Sequence, residues 1–290
     1  MIRLLHHVRN MWRASGHGRF FPRGPMPAPS PDGSWENPTH GSPLRRLRKE
    51  VHWFRPTEHT LQVSGLSKAI KLLHLTDVHL RQTGKWLDNL CDAIGNGSPD
   101  LIVITGDVVT KGWTQEAVNQ FLQALPEAPL GKWAVMGNWE HWVGPDKKEW
   151  RHLLKAHDVV LLDNEHTLTG PIRICGTDDA LAGEKPDSDL IPLDSIPTVV
   201  LSHSPCLFPS LVQDNVALVL SGHAHGGQVR LPKLGALWVP KGTDSYVAGW
   251  YQKERTWLFV SRGIGWSVAP IRLQCPPEIA RITLHPSPSV

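Results

Sequence analysis

Short apolar runs alternate with amphipathic segments from about Val51 onward. Ten runs have the length and the apolar or alternating pattern of β-strands, and they lie at 59–63, 71–76, 101–105, 133–136, 159–162, 171–175, 197–202, 216–220, 256–261 and 279–284. Three segments with apolar residues at helical spacing lie between the earlier strands, at 86–94, 117–125 and 150–157. This order predicts an α/β body whose second half is rich in strands.

The first twelve residues have a different pattern. Apolar residues recur at helical spacing from Met1 to Trp12, and Arg3, Arg9 and Arg13 lie on the opposite face together with two histidines. The pattern is typical of a basic amphipathic helix that lies on a membrane surface. The charges interrupt any continuous apolar run, so a secretory signal is not expected.

Residues 14–43 are rich in Gly, Pro and Ser and predict a linker. A basic cluster follows at Arg45, Arg46, Arg48 and Lys49, just before the first strand pattern. We therefore divide the chain into a basic N-terminal arm, residues 1–50, and a globular domain, residues 51–290.

The net charge of +3 is unevenly distributed. Residues 1–56 contain ten Lys and Arg against three Asp and Glu, whereas residues 57–290 contain twenty against twenty-four. A basic arm on a mildly acidic body favours an anionic surface as a partner, either lipid headgroups or nucleic acid. A solvated tail is the alternative.

The composition excludes several classes of protein. With 290 residues and 40% hydrophobic content, the chain is long and apolar enough for a globular core. The four cysteines are widely spaced and include no C-x-x-C pair, so neither a disulfide framework nor a zinc ribbon is expected. No apolar stretch is long enough for a membrane-spanning helix. These features predict a cytoplasmic protein with reduced thiols.

Polar residues with metal-binding side chains follow five of the predicted strands. In chain order they are Asp77 and His79, Asp107, Asn138, His203, and His223 with His225. One such residue after a strand is usually a turn former, but five strand ends with the same chemistry indicate a shared site. Carboxylate, amide and imidazole ligands without a thiolate suit divalent first-row metals.

These motifs, D-x-H, G-D, G-N, H and G-H-x-H in that order, resemble the signature of the calcineurin-like metallophosphoesterase superfamily. The resemblance extends over about 51–284, and the stretches 222–232, 261–265 and 270–278 are similar to a bacterial subgroup of membrane-associated phosphodiesterases. It implies an α/β fold, a four-layer sandwich of two mixed β-sheets flanked by helices, with two metals at the strand ends.

The resemblance also implies which residues hold each of two divalent metal ions. One metal would be held by Asp77, His79, Asp107 and His225, and the other by Asp107, Asn138, His203 and His223. Manganese, iron or zinc would fit, and manganese is favoured.

Elementary electrostatics supports the bridging position of Asp107. Two cations about 4 Å apart need an anion between them, and one carboxylate can give an oxygen to each. The neutral amide and imidazole ligands leave the cations acidic enough to ionise a bridging water. The resulting hydroxide is the expected nucleophile toward phosphorus.

One position departs from the family pattern. Many members have a histidine directly after the G-N pair, where it donates a proton or a hydrogen bond, but this chain has Trp139. His141, two residues further on, is the candidate catalytic acid in its place. A surface or packing role for His141 is the alternative, and so is a substrate whose leaving group needs no acid.

Two further groups of residues are candidates for substrate contacts. Arg262 and Arg272 could pair with phosphate, or they could be ordinary surface charges. Trp113, Trp139 and Trp142 lie near the proposed site loops, where they would line an apolar pocket, or they pack in the core.

The sequence therefore predicts a two-metal phosphohydrolase, foremost a phosphodiesterase for a phospholipid-like or nucleotide-linked phosphate ester. The alternatives are a pyrophosphatase of the UDP-2,3-diacylglucosamine type, a catalytically weak scaffold with the same fold, and a nuclease. No dedicated nucleic-acid partner is expected, because the body has no basic face interleaved with aromatic residues. The arm predicts peripheral attachment to the inner face of the cell membrane.

Overall fold

Two six-stranded sheets and the helices around them make up most of the protein. The computed structural model describes residues 19–20, 49–95, 97–267 and 269–287. The strands are β1 Arg19–Phe20, β2 Arg55–Val63, β3 Ile70–Leu75, β4 Leu101–Thr105, β5 Lys132–Val135, β6 Val159–Leu161, β7 Glu165–Thr169, β8 Ile172–Gly176, β9 Thr198–Leu201, β10 Val216–Ser221, β11 Arg230–Leu231, β12 Gly235–Ala236, β13 Trp238–Val239, β14 Gly249–Lys253, β15 Thr256–Val260 and β16 Glu278–Pro286.

Five α-helices accompany these strands in the described residues, and they are α1 Lys85–Gly95, α2 Gln115–Gln123, α3 Asn138–Val143, α4 Lys147–Lys155 and α5 Phe208–Leu211. Thr114 and Asp146 cap α2 and α4 with side-chain oxygens that accept backbone N–H groups of the first turn. Short 3₁₀ helices lie at Glu50–His52, Pro205–Leu207 and His225–Gly227.

Both large sheets are mixed. The first has the order β2-β16-β3-β4-β5-β6, in which β16 is parallel to β2 and antiparallel to β3, and β3 to β6 are parallel. The second has the order β14-β15-β10-β9-β8-β7, with parallel pairing from β15 to β8 and antiparallel strands at both edges. The inner parallel strands direct their carboxyl ends to one edge of each sheet.

Three apolar clusters hold the layers together. One lies between the sheets, where Leu72 and Val103 of the first sheet share a cluster with Leu220 and Phe259 of the second. A second cluster packs α1, α2 and α4 on the outer face of the first sheet. A third covers the outer face of the second sheet with α5 and irregular chain. The predicted four-layer sandwich of two mixed sheets is thus confirmed.

The predicted strands and helices agree with the structure to within a few residues. The sequence analysis does not predict the short elements β1, β11, β12, β13 and α5, nor β7, β14 and α3. Strand β7 is an edge strand with mostly exposed or half-exposed residues, so it has no apolar alternation to detect. Strand β14 begins at a glycine and ends in two exposed polar residues. Helix α3 has only six residues and begins within the Gly-Asn pair, which favours a turn.

The helix predicted for residues 1–12 and the basic residues 45–48 lie outside the described residues. The predicted linker 14–43 also lies outside them, except for residues 19–20, which form β1. Within the described residues, no helix combines the length and hydrophobicity that a bilayer crossing requires. All four cysteines are free thiols, as expected from their spacing.

Candidate metal centre

The structure brings the seven predicted ligand residues together at the carboxyl ends of strands from both sheets. Asp77 and His79 follow β3, Asp107 follows β4 and Asn138 follows β5. His203 follows β9, and His223 and His225 follow β10. Each of the seven is at most 5% exposed. Their coordinating atoms therefore lie inside the protein, at the edge where the two sheets meet.

Asp77, His79 and His225 form the first of two groups whose ligand atoms lie within 4.8 Å of one another. The Nε2 atoms of the two histidines are 2.9 Å apart and their rings stack. The Nε2 atom of His225 lies 3.3 Å from a carboxylate oxygen of Asp77. Two neutral imidazole nitrogens and a carboxylate that converge in this way offer lone pairs to a shared cation.

Asp107, His203 and His223 form the second group. Nε2 of His203 lies 3.2 Å from both Nδ1 of His223 and the amide oxygen of Asn138. Oδ2 of Asp107 lies 3.3 Å from Nε2 of His203 and 3.6 Å from Nε2 of His79, a member of the first group. This carboxylate therefore stands between the two groups, as a bridging ligand would.

The ligand-bearing turns have an unusual backbone. Asp77, His79, Asp107, His223 and His225 all have φ between 50° and 66°, the left-handed region. Each such residue costs about 1–2 kcal/mol unless other interactions compensate. Hydrogen bonds between neighbouring turns supply that compensation, since Asp77 N–H donates to Gly106 C=O and His79 N–H to Asp107 C=O.

Close approach of the turns explains two of the glycines in the motifs. A Cβ atom on Gly106, which has φ of +81°, would lie 2.5 Å from the backbone nitrogen of Gly137. A Cβ atom on Gly222 would overlap the side chains of Thr76 and Asp77. The G-D and G-H-x-H motifs thus need glycine so that the turns of β4, β5, β3 and β10 can touch.

Backbone carbonyl groups fix the tautomers of the second-group histidines. Nδ1–H of His203 donates to Thr105 C=O at 2.7 Å, and Nε2–H of His223 donates to Lys241 C=O at 2.6 Å. The remaining nitrogen of each ring faces the other ligands, where it can offer a lone pair to a cation in place of a proton. Such outer hydrogen bonds commonly orient metal-binding imidazoles.

The electrostatics of the donor set favours positive charge. Burial raises the pKa of Asp77 to about 7, and burial also lowers the pKa values of His79 and His225 well below their ordinary value. For His203, burial lowers the pKa, but the attraction of Asp107 outweighs it and raises the pKa well above its ordinary value. Divalent cations would compensate buried carboxylates directly, and the neutral nitrogen donors fit them as well.

Glu140 is a positioning residue that the sequence analysis did not identify. Its buried carboxylate accepts N–H groups from Asp107, Val109 and Gly137 at 2.7–3.1 Å. It thereby ties the turn after β4 to the first turn of α3. The sequence signal was available, since a glutamate three residues after a helix N-cap commonly bonds back to the N-cap N–H.

His141 lies on α3 with its ring turned to Asp178. Its Nε2 atom is 2.6 Å from Oδ1 of Asp178, whose other oxygen is 3.2 Å from the ammonium of Lys147. The hydrogen bond with Asp178 raises the pKa of His141, although burial opposes this. His141 is not among the described residues that line the cavity beside the metal centre. Its assignment as catalytic acid stays a prediction.

The two arginines considered for phosphate binding are already engaged within the protein. Arg262 is ion-paired with Glu278 at 2.9 Å. Arg272 is fully buried and donates to the carbonyl oxygens of Gly263, Gly265 and Cys275. Phosphate pairing by these residues is therefore wrong as a prediction, because their guanidinium groups hold the chain between β15 and β16 behind His225.

The tryptophans near the site divide into two roles. Trp139 and Trp142 line a cavity next to the metal centre. Trp113 instead packs against the core under α1 and α2, and its indole N–H donates to Val143 C=O. An apolar pocket is therefore present, with two of the three residues considered for it.

Comparison with known proteins connects this geometry to a family. Residues 70–227 match the family model described as calcineurin-like phosphoesterase. The metallophosphoesterase YkuE of Bacillus subtilis (strain 168), described as uncharacterised, is 33% identical over 251 residues, which cover 81% of this chain and 87% of that protein. The phosphodiesterase YaeI of Escherichia coli (strain K12) is 32% identical over 253 residues, which cover 81% and 90%.

The role of Glu140 leads to the first testable prediction. In Glu140→Gln only the amide oxygen can accept hydrogen bonds, because the amide nitrogen is a donor. At least one of the three buried N–H groups therefore loses its partner, which lowers the free energy of unfolding by about 1–3 kcal/mol. We expect a lower melting temperature and a lower manganese content after reconstitution, measured by calorimetry and elemental analysis. The matched control is Glu149→Gln, at an exposed position on α4. Equal metal content in both variants would contradict the role of Glu140.

Proposed function

Because the chain belongs to the calcineurin-like phosphoesterase family and is therefore a metal-dependent phosphoester hydrolase, we propose that it hydrolyses phosphodiesters at a two-metal centre. The observation that carries the proposal is the position of Asp107, whose Oδ2 atom lies within 3.6 Å of a histidine nitrogen in each ligand group. The similarity to a relative named phosphodiesterase favours diesters over monoesters.

We propose that Asp77, His79, Asp107 and His225 hold one divalent cation and that Asp107, Asn138, His203 and His223 hold the other. When bound, the cations supply Lewis acidity toward the phosphoryl oxygens and activate the attacking water. The donor set of oxygen and imidazole nitrogen suits manganese, iron or zinc, and we favour manganese.

The chain's own contribution is to preorganise these donors before substrate arrives. Oδ1 of Asp107 accepts the N–H of Trp139 at 2.9 Å, which directs Oδ2 toward the two ligand groups. The carboxylate of Asp77 accepts the N–H of His223 at 3.0 Å, which joins the turn after β3 to the turn after β10. Donors held in this way need little rearrangement during the reaction.

We assign the acid role to His141, which substitutes for the histidine that Trp139 replaces. The support is its pairing with Asp178, a buried carboxylate that also accepts backbone N–H groups of Asp179 and Glu184. Hydrogen bonding to Asp178 raises the pKa of His141, although burial opposes this, and so favours the protonated ring. A protonated imidazole can donate to a poor leaving group.

We further propose that residues 1–50 form an arm that attaches the domain of residues 51–290 to an anionic membrane. The substrate would then be a lipid-linked phosphate ester in that membrane. The support from the structure is strand β1, in which Arg19 and Phe20 pair with Val239 and Trp238. Trp238 lines the cavity beside the metal centre. Residues 13–18 span at most about 22 Å when extended, so a membrane bound by residues 1–12 would lie close to the mouth of the cavity.

The two-metal proposal is tested with Asp107→Asn. Loss of the bridging charge should lower the content of both metals and reduce hydrolysis of bis(p-nitrophenyl) phosphate by more than about a hundredfold. The control is Asp189→Asn, an exposed position with the same change of charge. Wild-type activity in Asp107→Asn would refute the bridge, and faster cleavage of p-nitrophenyl phosphate than of the diester would refute the preference for diesters.

The acid role is tested by leaving-group dependence. His141→Ala should slow alkyl esters by on the order of a hundredfold and spare activated aryl esters, which need little protonation. In the wild type, alkyl-ester turnover should persist at low pH and fall as pH rises through the raised pKa of His141, and Asp178→Asn should move that fall to lower pH. His152→Ala, at an exposed position on α4, is the control. Equal effects on both ester types would exclude the role.

The arm is tested by removing residues 1–16, which retains β1. Each basic residue contributes about 1 kcal/mol of attraction to an anionic surface. Sedimentation with phosphatidylglycerol vesicles should therefore weaken more than about tenfold, while hydrolysis of a water-soluble diester is unchanged. Phosphatidylcholine vesicles are the control. Stronger binding to DNA than to anionic vesicles would rule out the membrane proposal.

A further inference from the structure

A cavity opens beside the metal centre. One side consists of the candidate ligands Asp107, Asn138, His223 and His225. The other side is largely apolar, and its walls include Trp139, Trp142, Leu181, Ala224, Trp238 and Pro240. Trp139 and Ala224 of the apolar lining are direct chain neighbours of the candidate ligands Asn138, His223 and His225, so a group attached to a phosphate at the metal centre would extend into apolar surroundings.

The two tryptophans of α3 form the outer part of the apolar wall. The edge of the Trp139 ring meets His79, with 5.8 Å between ring centroids, and Trp139 also contacts Trp142 at 5.7 Å. Trp142 is 45% exposed, which is high for a large aromatic side chain. An exposed aromatic surface that continues directly into a cavity is typical of a ligand-binding site.

Few polar groups of the apolar side could recognise a nucleobase. Outside the candidate ligands, the polar groups among the described lining residues are the side chains of Gln228 and Ser267 and the indole N–H groups of the tryptophans, of which that of Trp238 is buried without a hydrogen-bond partner. The amide nitrogen of Gln228 already donates to the carbonyl oxygens of Ala269 and Ile271 at 2.8 Å and 2.7 Å. A base edge in this cavity would find indole N–H donors but few acceptors for its own amino and imino groups, and leaving those groups unpaired is costly.

The charges of the described lining also argue against a second phosphate group. No lysine or arginine lines the described part of this cavity, and Arg262 and Arg272 are buried in contacts with Glu278 and with backbone carbonyls. A nucleoside diphosphate would need a cationic partner for the phosphate outside the metal centre. The lining instead suits one phosphate with a hydrocarbon substituent.

We propose that this cavity binds a hydrocarbon group esterified to the phosphate at the metal centre, and that Trp139 and Trp142 determine this specificity. The inference rests on the proposed two-metal phosphodiesterase and narrows its substrate class to diesters in which one of the esterified alcohols carries a hydrocarbon chain. Trp139 then has a role of its own at the position where many relatives have histidine, since its ring forms the junction between metal centre and cavity.

The experiment measures binding of simple phosphonates to the manganese-loaded full chain by isothermal titration calorimetry. Hexylphosphonate should bind about tenfold or more tightly than methylphosphonate, because several additional methylene groups leave water. Uridine monophosphate should bind more weakly than hexylphosphonate. In Trp142→Ala, the affinity for hexylphosphonate should exceed that for methylphosphonate by about threefold or less. Trp139→Ala should also lower this ratio of affinities.

Trp53→Ala is the matched control, because Trp53 is 38% exposed and does not line the cavity. In this variant the ratio of the affinities for the two phosphonates should stay at the wild-type value. Equal affinity of an active wild type for the two phosphonates, or tighter binding of uridine monophosphate, would overturn the hydrocarbon site. A ratio unchanged in Trp142→Ala and Trp139→Ala would overturn the assignment to these residues. Failure of the wild type to hydrolyse bis(p-nitrophenyl) phosphate would count separately, against the proposed function.

Discussion

Backbone hydrogen bonds between the turns at the strand ends are the interaction on which the metal centre depends. Five of the seven candidate ligands have left-handed φ angles, a conformation that costs about 1–2 kcal/mol for each residue with a side chain. Isolated turns would not keep it. Here each turn donates to or accepts from its neighbour, as Asp77 does with Gly106 and His79 with Asp107. Hydrogen bonds between the turns thus stabilise the strained backbone at the edge of the sandwich, and the ligand side chains converge on a shared space.

Buried carboxylates extend this network from backbone to side chains. Glu140 fixes the turn that carries Asp107, and Asp77 fixes the turn that carries His223. The second contact connects the two sheets, because Asp77 follows β3 and His223 follows β10. The apolar cluster between the sheets sets their distance, and these carboxylates set the alignment of their ends. A change at Glu140 therefore acts on the donors without touching a substrate.

The same edge determines what can approach the donors. Helix α3 begins at Asn138, one of the candidate ligands, and continues through the two tryptophans of the cavity. One short helix thereby places a metal-binding group and an apolar wall next to each other. Strand β13 forms another part of the wall and pairs with the start of the described chain. The metal centre, the cavity and residues 19–20 are therefore adjacent in the fold, although they are distant in the sequence.

The sequence by itself determined which residues have metal-binding side chains, which strands they follow and where most strands and helices lie. It could do so because apolar periodicity and the donor motifs are local patterns. It also placed Trp113, Trp139 and Trp142 near the site, but it could not separate core from cavity. Only the tertiary structure decided that Trp113 packs inward, that Arg262 and Arg272 support the backbone and that His141 pairs with Asp178. These outcomes depend on contacts between residues far apart in the chain, and no local pattern encodes which partner a charged or aromatic side chain meets when two sheets close on each other.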